Sequence, residues 1–119
     1  MKGSSRRPEQ VAETVRQVVA DALVSEVRDP RVGFVTVTQV RVTNDLSHAT
    51  IMVSVMGEEA EKLRALEGLG SAAGFLRAKL TRALTTRGVP ELHFELDRGL
   101  EHAARINALL ADLKREEGD

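Results

Sequence analysis

One stretch constrains this chain more than any other: the twelve residues from Val32 to Thr43, in which valine and threonine recur almost without relief. Side chains branched at Cβ pack well on a pleated surface and lose rotamer freedom in a helix. The stretch therefore reads as a strand, and a strand requires a sheet around it. Its apolar phase slips by one residue, with Val35 and Val37 at odd positions and Val40 and Val42 at even ones. A β-bulge near Thr38-Gln39 returns all four valines to one face, because a bulge sets two residues opposite one.

The flanking segments have their own periods. Pro8 suits the first position of a helix, and Val11, Val15, Val18, Val19, Ala22 and Leu23 then form one apolar stripe. That helix should end near Val27 or Arg28, since Pro30 disfavours helical geometry at Asp29. Asn44-Asp45 supplies turn chemistry. Ala49, Ile51, Val53 and Val55 then alternate with Thr50, Met52 and Ser54, a second strand close enough to form an antiparallel hairpin with the first. A helix starts at about Glu58 with Ala60, Leu63, Leu66 and Leu69. Gly68, Gly70 and Gly74 predict a break in it. A further helix runs through Phe75, Leu76, Leu80, Ala83 and Leu84 to a C-terminal cap at Gly88. Pro90 opens a third strand, in which Leu92, Phe94 and Leu96 alternate with His93, Glu95 and Asp97. Ala103, Ile106, Leu109, Leu110 and Leu113 mark a last amphipathic helix. Phe34 and Phe94 read as core strand positions, whereas Phe75 lies off the main apolar arc and is compatible with either side.

The order is thus helix, strand, strand, helix, break, helix, strand, helix. It describes an α+β domain in which helices cover one three-stranded sheet. A length of 119 residues fits a single domain, with flexible ends expected at about 1–6 and 114–119. The absence of cysteine excludes disulfides and thiolate chemistry. No run approaches the roughly 20 apolar residues of a membrane span. Acidic residues follow Lys2, Arg6 and Arg7 too closely for a signal peptide. A cytoplasmic monomer is the expectation.

Catalytic constellations are thin. The histidines are His48, His93 and His102, and none has a partner at local metal-ligand spacing. His93 alternates outward beside Glu91 and Glu95, as a solvated strand residue would. Ser54 and Ser71 lack a nucleophile elbow, and Gly68, Gly70 and Gly74 do not follow a strand as a dinucleotide fingerprint would. The sequence points to no enzyme, no cofactor and no metal.

Charge is more informative by position than in sum. The net charge is −1, yet residues 71–90 hold Arg77, Lys79, Arg82 and Arg87 with no acid, and residues 91–119 hold eight acids against four bases. Helical-wheel arithmetic places Arg77, Lys79 and Arg82 together, opposite Leu76, Leu80 and Leu84. Small residues at Ala72-Ala73-Gly74 let another backbone approach, and a helix restarting there would offer free N–H groups to phosphate. With basic Arg6 and Arg7, these residues form a candidate RNA-backbone surface. The alternatives are an ordinary solvated face, or a module that docks a basic protein through its acidic C-terminal part. With three phenylalanines and no Trp or Tyr, base stacking is scarce, which argues against a sequence reader.

Several blocks, in order, resemble a known family. They are Asp29-Pro30-Arg31 before a strand, Val42-Thr43-Asn44-Asp45-Leu46, Ala49 leading into Val53-Ser54-Val55, Ala72-Ala73-Gly74-Phe75-Leu76-Arg77, and Pro90-Glu91-Leu92-His93-Phe94 with Asp97. Together, from about Arg7 to Leu110, they resemble bacterial ribosome-binding factor A. The resemblance implies a type II KH-like domain of order α-β-β-α-kink-α-β with a C-terminal helix, the kink at Ala72-Ala73-Gly74 replacing a glycine-rich clamp. It further implies a non-enzymatic 30S assembly factor in late 16S rRNA maturation, acting near the 5′-end region of that RNA and associated with growth in the cold. The alternative is a protein-interaction module whose hairpin edge or C-terminal helix docks a ribosomal protein or an assembly GTPase without direct RNA contact. The family commonly has a helix-capping serine where this chain has Gly99, and the acidic end at Glu116, Glu117 and Asp119 differs from the basic tails of some relatives.

Overall fold

The computed structural model describes residues 7–84, 88–99 and 107–113. Its elements are α1 (Pro8–Ser25), β1 (Val35–Val42), β2 (His48–Val55), α2 (Glu59–Ala83) and β3 (Glu91–Leu96), and residues 107–113 are also helical. β2 is the central strand, antiparallel to β1 and parallel to β3. A parallel pair needs a long crossover, and α2 supplies it. The α+β class expected from the sequence holds, and the arrangement is consistent with a KH-like domain.

The bulge falls where the valine phase placed it. Val37 pairs with Val53, the next pair is Gln39 with Met52, and Thr38 is the extra residue. Val35, Val37, Val40 and Val42 all pack against the core. The Thr38 hydroxyl donates to the Met52 carbonyl at 3.3 Å and to the Asp97 carboxylate at 2.5 Å. Asp97 also accepts the Gly99 N–H at 2.8 Å. These bonds, the one from Thr38 foremost, hold the Asp97 carboxyl below its ordinary range.

Inside, Val11, Val15 and Val19 of α1 and Leu69, Leu76 and Leu80 of α2 meet Ile51 and Val53 of β2, all fully buried. The β1–β2 turn is held by Asp45, which accepts from the Ser47 and Thr43 hydroxyls, each at 2.7 Å, and from the Ser47 amide at 3.1 Å. Those donors lower its carboxyl to about 2. The next residue, Leu46, takes a left-handed φ of 63°, a geometry that costs a side-chain-bearing residue on the order of 1 kcal/mol. Its side chain reaches the core in return.

Several expectations are corrected. α2 is one continuous helix of 25 residues with no break at Gly70–Gly74. It ends at Ala83, where Leu84 turns extended and is buried, and Gly88 is therefore not its cap. α1 stops at Ser25, short of Val27. Phe34 precedes β1 and is 84% exposed, not core. Leu109, Leu110 and Leu113 are more than half exposed. Residues 1–6, Arg87, 100–106 and 114–119 lie outside the described residues, and with them the expectations for the chain ends and for the start of the last helix.

Candidate nucleic-acid interface

The loop between α1 and β1 closes on itself and then on α2. The Arg31 guanidinium forks onto the Asp29 carboxylate at 2.6–3.2 Å, and the Arg31 amide donates to the same group at 2.9 Å. These hydrogen bonds, the guanidinium's first, lower Asp29 to about 2. Arg31 Nη2 also donates to the Ser71 hydroxyl of α2 at 3.1 Å. Gly68 makes room beneath: a Cβ there would lie 2.7 Å from Val32 Cγ2 and 3.2 Å from Arg31 Cβ.

This packing explains the unbroken helix. Each glycine costs roughly 1 kcal/mol against alanine in a helix, but Gly68 is needed for close approach, and Leu69, Leu76 and Leu80 anchor both ends of the run in the core. The small residues do admit another part of the backbone, as expected, without interrupting α2. The helix amides near Gly74 are consequently spent on intrahelical bonds, and no free N-terminus offers them to phosphate.

Beside the loop, Gly70, Ser71 and Gly74 form an exposed strip, and a Cβ at either glycine would meet nothing within 4 Å. Ala72 and Ala73 are half-buried next to it. Phe75 is 47% exposed, which settles its orientation: outward. Lys79 Nζ lies 5.7 Å from the Phe75 ring centroid and pairs with Glu26 at 2.6 Å. A shallow groove runs between Glu26, Val27, Arg28, Asp29 and this Ser71–Phe75 strip.

The basic residues do not form one patch. Lys79 and Arg82 share a hollow with Val18 and Asp21 of α1 and with Glu26 just beyond it. Arg77 turns to the other flank, donates to the Val89 carbonyl at 3.1 Å, and faces the surface of Asp45, His48 and Glu91. Wheel arithmetic gave exposure but not the neighbours that draw the two flanks apart. Arg7 is exposed at the N-cap of α1, and Arg6 lies outside the described residues. Sequence reasoning passed over Arg28, which lies exposed on the groove next to Ser71 and Phe75. Its adjacency to Asp29-Pro30-Arg31 was the available signal.

The comparisons with known proteins bear on this geometry. The family model for Ribosome-binding factor A matches residues 7–110. The chain belongs to the ribosome-binding factor A family. Ribosome-binding factor A of Rhodopirellula baltica is 49% identical over 113 residues, 95% of this chain and 82% of the relative. That of Desulforamulus reducens is 44% identical, over 95% of this chain and 94% of the relative. Among solved structures, the crystal structure of ribosome-binding factor A from Thermus thermophilus superposes with a TM-score of 0.67 at 28% identity, over 77% of this chain and 97% of that one. A homology model of the Thermus thermophilus factor, fitted into the cryo-electron-microscopy map of a 30S complex, matches with a TM-score of 0.58 at 30% identity, over 72% and 90% of the two chains.

Proposed function

We propose that this chain is a single-domain, non-catalytic cytoplasmic assembly factor that binds the 30S subunit as a monomer and assists late maturation of 16S rRNA near its 5′ end. The observation that carries this is its similarity to a ribosome-binding factor A fitted into a 30S complex. The groove geometry supports it. An outward Phe75 beside a side-chain-poor helix strip, flanked by Arg28, Lys79 and Arg82, provides one stacking face and several cations for a phosphate backbone. Ala72, Ala73 and Gly74 belong to that strip; Arg7 at the far end of α1 and Arg77 on the opposite flank of α2 are proposed as separate backbone contacts, as is Arg6, which lies outside the described residues. Rigid placement of an RNA strand on it stabilises one rRNA conformation, an aid of greatest value in the cold.

Depletion from its host tests the proposal. 16S precursor with an unprocessed 5′ end should accumulate and free subunits should rise, most of all at low temperature. Normal 16S processing after depletion contradicts it.

A second reading has its own observation. Leu109, Leu110 and Leu113 present an uncovered apolar face on the helical segment 107–113, which suits docking of a ribosomal protein or an assembly GTPase. The two readings are compatible on a ribosome.

A further inference from the structure

His48 and His93 stand 45 residues apart in sequence, and the parallel register of β2 and β3 brings them together. His48 pairs across the ladder with Glu91, and Thr50 with His93. A backbone bond from the Glu91 amide to the Ser47 carbonyl, 2.9 Å, fixes that register at its first rung. Alternation then sends His48, Glu91 and His93 to the sheet face opposite Ala49, Ile51 and Leu92, which are buried. Three donor atoms converge there. His48 Nδ1 and His93 Nε2 are 3.0 Å apart, and Glu91 Oε2 lies 3.5 Å from the first and 4.0 Å from the second.

Those edges have the size of a coordination face. A tetrahedral Zn2+ with bonds of about 2.0–2.1 Å to nitrogen and oxygen holds its ligand atoms about 3.4 Å apart. The observed triangle brackets that value, so small side-chain rotations suffice to seat an ion. Two imidazole nitrogens and one carboxylate select late first-row divalent cations over Mg2+ or Ca2+, which prefer all-oxygen shells. With all three side chains about half exposed, the ion keeps an open position for water or an outside donor.

We infer that His48, Glu91 and His93 form a three-ligand binding site for a divalent transition-metal cation, Zn2+ foremost. The inference stands on this cluster alone and does not depend on the ribosomal reading. Bound metal cross-links the first rungs of β2 and β3, and it stabilises the fold by mass action because the unfolded chain has no such preformed triangle.

Titration of the full, untagged chain with Co2+ at neutral pH tests it. The expected result is one equivalent bound with the visible bands of tetrahedral cobalt, displaced by Zn2+ and untouched by Mg2+. His48→Gln and His93→Gln should each weaken binding at least about tenfold. Thermal melts without metal should coincide for all three proteins, which shows the variants folded. Absence of tetrahedral bands, or equal binding by the His48 and His93 variants, overturns the site and leaves the pair as a simple imidazole–imidazole hydrogen bond.

Discussion

Arg31, in the loop before β1, donates a 3.1 Å hydrogen bond to Ser71 in the middle of α2, forty residues away. This bond ties the Asp29-Pro30-Arg31 loop to the small-residue stretch of the helix. One wall of the proposed RNA groove is thereby fixed against the other.

The glycines of α2 should accordingly behave unlike one another. Gly68→Ala places a methyl 2.7 Å from the stiff Val32 side chain and should destabilise by about 1–3 kcal/mol, as overpacking does. Gly70→Ala and Gly74→Ala meet open space and should each stabilise by about 0.5–1 kcal/mol. Urea denaturation of the three variants checks both signs.

Among the hydrogen-bonded carboxylates, two should respond most clearly to acid. Asp29 and Asp45 are both held at about 2, against an ordinary 3.8. The folded form binds these protons more weakly than the unfolded chain, so their contribution is complete above pH 3.8 and is lost as pH falls toward 2. Asp29→Asn and Asp45→Asn should flatten the decline of stability across that window, measured by denaturation at stepped pH. An unchanged slope in both contradicts the hydrogen-bonded geometry.

Leucines of the core and of the segment 107–113 should separate cleanly. Leu76→Ala and Leu80→Ala remove fully buried side chains and should cost about 2–5 kcal/mol. Leu109→Ala and Leu113→Ala, at more than half exposure, should stay within about 0.5 kcal/mol. If these two nevertheless weaken ribosome binding, the second reading gains a surface.

Charge reversal should weaken ribosome binding from the α1 flank of α2. Arg28→Glu and Arg82→Glu, on the α1 side, should lower 30S affinity. Neutral replacement of either should reduce the salt slope by about one for each phosphate no longer neutralised. Phe75→Ala should cost about 1–3 kcal/mol of binding where a base stacks on the ring. Binding assays across a salt series read both effects.

Much of this fold is legible locally, and the remainder depends on distant partners. The slip between Val37 and Val40 exposes the bulge because a strand's period is two, so one extra residue inverts every later position. Gly68, Gly70 and Gly74 misled because helix propensity is local, whereas the groups that need Gly68 small are Arg31 and Val32 on another element. Phe34 resembled a core residue because its neighbours are strand formers, yet it lies one residue outside β1. The His48–His93 pair has no local signal: it exists only through the parallel register of β2 and β3. The separation of Arg77 from Arg82 likewise follows from Val89 on one flank and α1 on the other.

Co-sedimentation of the purified chain with 30S subunits, 50S subunits and 70S ribosomes over a salt series separates a 30S-specific factor from a general ribosome binder. Selective 30S binding that weakens steeply with salt is expected, as phosphate neutralisation requires. Equal binding to all three particles, or binding to none, contradicts it.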